Sequence, residues 1–380
     1  MKTEFPVAIT VYHRCDDALP IWRRFEADGL HYAFQTCDWL TAWQTHVGEP
    51  AGLVPCLVAI EDNRVGRVMF LPLAVRHSLG GRCLEWLGGR HADYHAPLLG
   101  SGFVRMGGVI DLATLWPRIL DRLPPVDVLH FEKQPAEILG FRNPFLDLGA
   151  TPAGVSAHAA RLGPVWDDYY AAHRGTRTRA TDRRKLRRLQ DQGEVILRLD
   201  VPADAVAAVM PRLIDLKRRQ LGRVGGKDPF SGPGCRAFYD AMAAGGQEHP
   251  RVIVSTLELD GVVIAAHWGM VAGRRFYWLL PVYDDAWRAF SPGLHLMQAL
   301  MEWCCGNGIE VFDFTLGDED YKASWCDRVM PLHEQLSLIG WRGLGPVGLG
   351  RLHELGRAML RRVPILARLK RQLRRSLIRR

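Results

Sequence analysis

The residue types best suited to chemistry crowd into one stretch, Tyr283 to Trp325. Ser291-Pro292-Gly293-Leu294 opens a predicted amphipathic helix. Serine is a favoured cap, proline at the first turn gives up no needed N–H, and the free amides there sit at the positive end of the helix dipole. Such a start can cradle a phosphate or pyrophosphate, or can be no more than a good helix start. Asp313 alternates with Phe312 and Phe314 in the strand IEVFDFTL. It can therefore face a cleft where burial raises its pKa toward a base's working range, the plainer alternative being a structural carboxylate bound by nearby amides. His267, in VVIAAHWGM, can accept or relay a proton, although a lone histidine on an apolar strand more often serves as hydrogen-bonded core. No HExxH, GxSxG, P-loop or strand-following GxGxxG is present, so the motifs give no support to a metal or a nucleophilic serine. The eight cysteines form no CxxC pair. They read as reduced, mostly buried thiols, and Cys326 has no base beside it in sequence.

These groups must be positioned by a repeated α/β unit. Between Val54 and Leu99 the pattern is three short strands joined by turns, followed by a helix with Leu112, Leu115, Ile119 and Leu123 on one stripe and then the strand VDVLHFE. From Arg251 to Gly317 the same order returns: VIVSTLEL, VVIAAHWGMV, RRFYWLLPV, the Ser-Pro-Gly helix and IEVFDFTL. Aligning the copies gives an offset near 180 to 197 residues, as a duplication would. Residues 1–150 and 166–340 are therefore expected as two domains. Residues 151–165, rich in Ala, Gly and Pro, are expected as a linker. Trp166 to Gln192 reads as helical, Ala203 to Gln220 as a second helix, and Leu221 to Gly234 as a turn-rich mobile lid.

At 380 residues, with 48% apolar and 24% charged residues, the chain is a folded protein of two-domain size. Its net charge of +8 is uneven. Residues 351–380 hold 11 Lys/Arg against Glu354 alone, with leucines at helical spacing, so residues 341–380 read as a basic amphipathic tail suited to an anionic membrane surface or to packing on the body. A second basic strip, Arg174 to Arg188, has 8 Lys/Arg against Asp182. It reads as a solvated helix or as a contact for an anionic acceptor or an RNA backbone. Aromatic residues do not interleave with it in sequence, which argues against nucleic acid as a partner. No apolar run is long enough to span a membrane and the first ten residues lack the pattern of a signal peptide, so a cytoplasmic protein is expected, with the tail available to the inner membrane face.

Tyr283, Asp284, Ser291, Pro292, Gly293, Asp313, Gly317, Tyr321, Lys322 and Trp325 together resemble the motif of the cellulose-biosynthesis acetyltransferase-like family of GNAT-type acyltransferases. That family is related to the Fem-type peptidyltransferases, which have two GNAT-like domains in tandem. The resemblance spans most of residues 30 to 340. It implies an α/β fold of two tandem GNAT-like domains with mixed, mostly antiparallel sheets, and an acyl-CoA donor held by the second domain without a metal. The pyrophosphate would lie at Ser291, Pro292, Gly293 and Leu294. The first domain would be a degenerate copy that shapes the acceptor cleft. Acyl transfer needs a base, oxyanion stabilisation and an acid for the leaving thiolate. On this reading Asp313 or His267 is the base and Tyr321 the acid. Lys322 would bind a phosphate or an acceptor carboxylate, and Asp284, Trp325, Asp93 and His95 would bind substrate. The expected activity is N- or O-acylation of an amino sugar, a sugar or another envelope or polysaccharide precursor. An aminoacyl-tRNA donor and a non-catalytic role in polysaccharide assembly are the alternatives.

Overall fold

The computed structural model describes residues 7–78, 81–224, 228–244 and 250–339. The basic tail expected at residues 341–380 lies outside them. The first half runs β1 (Val7–Tyr12), α1 (Cys15–Asp28), α2 (Cys37–Trp43), β2 (Leu53–Asp62), β3 (Gly66–Ser78), β4 (Gly81–Trp86), β5 (Leu98–Leu99), α3 (Ser101–Arg105), α4 (Leu112–Leu120) and β6 (Val128–Pro135). A small hairpin, β7 (Glu137–Ile138) with β8 (Phe141–Arg142), leads to β9 (Thr151–Arg161). The second half runs α5 (Trp166–His173), α6 (Thr176–Gln190), β10 (Val195–Arg198), α7 (Ala203–Val224), α8 (Cys235–Ala243), β11 (Arg251–Leu259), β12 (Val262–Ala272), β13 (Arg275–Tyr277), β14 (Val282–Tyr283), α9 (Pro292–Gly306), β15 (Val311–Leu316) and β16 (Arg328–Leu338).

The halves repeat each other in three dimensions. The main sheet has the order β1-β2-β3-β4-β6-β16-β9-β15-β13-β12-β11-β10. In each half an antiparallel meander ends in one parallel pair, β4 with β6 and β13 with β15, joined through a helix as a parallel connection requires. β5 lies on β3 as β14 lies on β12. The last strand of each half crosses over. β9, which follows the first half, pairs with β15, while β16, which follows the second, pairs with β6, and β9 and β16 pair with each other at the centre.

Residues 151–161, expected within a linker, are thus a central strand. Their composition misleads because small side chains suit a strand squeezed between two others: Ala153, Ala157 and Ala160 are its buried positions. The helix expected over 166–192 is two helices, broken at Arg174 and Gly175, which adopt extended backbone. Of the expected mobile lid, residues 221–224 end α7, and residues 228–230 are anchored to the body. Phe230 is buried, His91 Nε2 lies 3.0 Å from the Pro229 carbonyl, and Asp228 pairs with Arg218 at 3.0 Å.

The larger apolar core fills the first half and continues through Met210, Leu213 and Phe238 of α7 and α8 to Trp268 on β12. A smaller core, with Phe276, Leu300 and Phe312, lies between the second half's sheet and α9. The eight cysteines are free thiols, six of them buried and Cys83 and Cys326 half-buried.

Candidate active site

The site arises where two parallel strands part. β13 pairs with β15 only as far as Tyr277 opposite Asp313, and the Trp278 amide adds one more bond to the Asp313 carbonyl at 2.8 Å. The chain then leaves through Pro281 so that Val282 and Tyr283 pair with β12, while β15 runs on to Leu316. Between the diverging strands, α9 and the loop after β15 lies a cleft of about 610 Å³. Ser291, Pro292, Gly293, Leu294, Tyr321 and Trp325 all line it, so half of the expected site residues meet in one place.

The start of α9 differs from expectation in its cap. Ser291 is in the left-handed region (φ 57°) and its side chain caps nothing; its hydroxyl instead accepts from Lys185 Nζ at 3.0 Å. Its carbonyl takes the amides of Leu294 and His295, at 3.0 and 3.3 Å, while the Gly293 N–H has no acceptor in the first turn. A Cβ on Gly293 would come within 3.3 Å of the Tyr283 ring, so glycine lets the ring lie against the helix start. The corresponding helix of the first half is closed differently: Asp111 caps α4, accepting from the Thr114 amide at 3.0 Å and hydroxyl at 2.8 Å. A carboxylate stands there where an anion would bind.

The cleft wall carries Arg174, Lys185 and Arg288, and no carboxylate or imidazole. Arg174 lies 4.9 Å over the Trp325 ring, donates to Ser324 Oγ at 3.2 Å and faces Asp182 at 3.5 Å. Arg179 lies 6.0 Å over Tyr170, whose ring is parallel to Trp325 within 2°. The basic strip therefore does meet aromatic rings, contributed by α5 and the loop after β15. Sequence reading missed Arg174 and Lys185 as cleft residues, although the charge run that contains them was the signal. Tyr321 is 42% exposed at the cleft. Its packed surroundings and the charge of Glu319 push its pKa up, so it is a neutral O–H donor.

The other expected residues stand elsewhere. Asp313 is sealed in the seam between the halves. Its oxygens accept from Arg275 at 2.7 Å, Tyr94 Oη at 2.6 Å and the Thr315 amide at 2.8 Å, which leaves it no free face for a substrate proton. His267 is fully buried behind Trp278, with ring centroids 4.2 Å apart, and burial drives its pKa far down, so it is a neutral core group. Lys322 is buried and turned inward; the Leu316 and Gly317 carbonyls and Glu319, at 3.0, 3.1 and 2.8 Å, take its three N–H donors. Asp284 caps the short turn Asp285–Phe290 and pairs with Arg212 at 2.7 Å. His95 is buried, 3.1 Å from the Glu132 carbonyl, and burial lowers its pKa to about 3. Asp93, from the first half, reaches the Thr315 hydroxyl and Leu316 amide at the end of β15, and burial raises its pKa. The seam thus brings Asp93 beside the second half's β15, near the charge of Lys322.

Residues 176–323 match the family model described as an acetyltransferase (GNAT) domain. That segment is a GNAT-type acyltransferase domain, and the chain's large mixed sheet flanked by helices is built of GNAT-like units. Among solved structures, the crystal structure of FemX superposes with a TM-score of 0.57 at 11% identity, covering 87% of this chain and 95% of that one. L-PGS from Bacillus licheniformis gives 0.50 at 11% identity, covering 89% and 96%. Both likenesses extend across the two halves. No curated protein matches. Among the described residues no group of His, Cys, Asp and Glu could hold a metal ion, and no helix is long and apolar enough to cross a membrane.

Proposed function

We propose that the protein transfers an acyl group from acyl-CoA, held in the cleft of the second half, to a carbohydrate acceptor such as an amino sugar or another envelope or polysaccharide precursor. The observation that carries the donor is the cleft wall, where three cations, an uncommitted helix-start amide and no carboxylate suit a polyphosphorylated ligand. The carbohydrate acceptor rests on the resemblance to the cellulose-biosynthesis acetyltransferase-like family. Tyr321 protonates the leaving thiolate. The Trp278 and Leu280 amides are committed to the Asp313 and Trp268 carbonyls and Pro281 has none, so the Leu279 amide is the group of this segment left to bind the developing oxyanion.

Thermal unfolding with acetyl-CoA and longer acyl-CoAs tests this reading. A ligand at 100 times its dissociation constant stabilises by about 2.7 kcal/mol, enough to move the midpoint visibly. No shift with any acyl-CoA would remove the donor assignment. One observation favours a second donor, aminoacyl-tRNA: Arg177, Arg183, Arg184, Arg187 and Arg188 are exposed on α6 and extend the cationic wall outward. That donor would show RNA binding that weakens steeply with salt.

A further inference from the structure

The cleft has an acid and cations but no group to take the acceptor's proton, and both bases expected from the sequence are sealed away. Lys217 stands beside the gap. It lies on α7 one turn before Gln220, which lines the cleft, and its Nζ donates to the carbonyl of Pro281, a wall residue in the segment where the strands part, at 3.3 Å. Among the described residues that long bond is the one hydrogen bond of an ammonium with three donors. The charges of Asp93 from the first half and Glu319 from the loop after β15 act on it, and its own charge acts on the neutral ring of His267 on β12. Asp93 is already held by the Thr315 hydroxyl and the Leu316 amide, and Glu319 by Lys322 at 2.8 Å. Lys217 therefore sits next to Pro281 and Gln220 of the cleft wall with donors to spare.

We propose that Lys217, as the free amine, is the general base of the transfer. The acceptor's nitrogen or oxygen attacks the acyl carbon and its proton passes to Lys217 Nζ. The carbon–sulfur bond then breaks, the thiolate takes the Tyr321 proton, and Lys217 returns its proton to solvent through the open cleft while Tyr321 is reprotonated. Burial favours this state by pulling the lysine's pKa down to about 8, against the opposing pull of Glu319 and Asp93. The proposal rests on acyl transfer with Tyr321 as acid.

Two measurements on the full chain test it. Competitive labelling with acetic anhydride across pH, read by mass spectrometry, needs no substrate. Lys217 should titrate roughly two units below the exposed lysines, given a reference near 10.4; a midpoint with the exposed lysines would overturn the proposal. The second uses acetyl-CoA and glucosamine as probes, following CoA release. Lys217→Arg keeps the charge and the tie to Pro281 but cannot shed a proton. Both Lys217→Arg and Lys217→Met should lose about 10²-fold or more in turnover, while keeping the thermal shift with acetyl-CoA. The wild-type rate should rise with pH through about 8. Rescue of the rate by arginine would show a merely structural lysine and sink the idea. Absence of any acetyl-CoA shift in the wild type would instead count against the acyl-CoA donor, with the labelling result still deciding the state of Lys217.

Discussion

Asp313 and Tyr321 sit eight positions apart in sequence and divide structural work from chemical work. Asp313→Asn would leave Arg275 charged and unpaired in the seam, and losing one partner of a buried pair costs about 3–5 kcal/mol. Urea denaturation should show that loss; a variant as stable as the wild type would mean that the seam does not depend on the pair. Tyr321→Phe, by contrast, removes only a hydroxyl at the cleft. It should keep stability and the acyl-CoA thermal shift while turnover falls about 10²-fold or more. Unchanged turnover would leave the leaving group without its proposed acid. Tyr321 and Trp325, which line the cleft, were singled out by the family resemblance, and the helix start at Ser291–Leu294 by its Ser-Pro-Gly sequence, a local signal even though Ser291 caps nothing. Asp313 was misread because its partners are remote: Tyr94 lies 219 residues away and Arg275 38 residues away. Alternation can show that a strand residue faces inward, but not what it meets there.

At the level of elements, α6 is an argument about placement. Its basic residues were plain in the sequence, but the break at Arg174-Gly175 decides that Arg174 turns onto Trp325 while Lys185 reaches Ser291. Replacing both with alanine should weaken donor binding at least tenfold and flatten its salt dependence, since both face the cleft where phosphates would lie. Titration calorimetry at two ionic strengths would measure both effects, and unaltered affinity would take α6 out of the donor site. The parting of β13 and β14 was less legible. RRFYWLLPV reads as one apolar strand, and only the competition between β12 and β15 for its hydrogen bonds shows where it must divide. β9 was hidden for a related reason: alanines and glycine in a row suggest a flexible tether unless the strands on either side are known.

For the whole molecule, the crossing of β9 and β16 makes the two halves one folding unit. The succession of strands and helix along each copy and its repeat were largely readable, because turns and alternation recur in both; the exchange was not, because nothing local states which sheet a strand joins. Residues 1–165 expressed alone should leave the β6 edge unpaired and aggregate or remain soluble only when residues 166–380 are co-expressed. The intact chain should unfold in urea in one transition by tryptophan fluorescence and circular dichroism, and two separated transitions would contradict a shared sheet. The same crossing bears on synthesis. β6 ends at Pro135, and its neighbour β16 begins only at Arg328. At roughly 5–20 residues per second, a ribosome leaves that strand edge open for about 10–40 s. During that interval the nascent chain offers a bare β-edge to its neighbours on the polysome, so holdase protection and the pace of translation act on this protein well before its cleft exists.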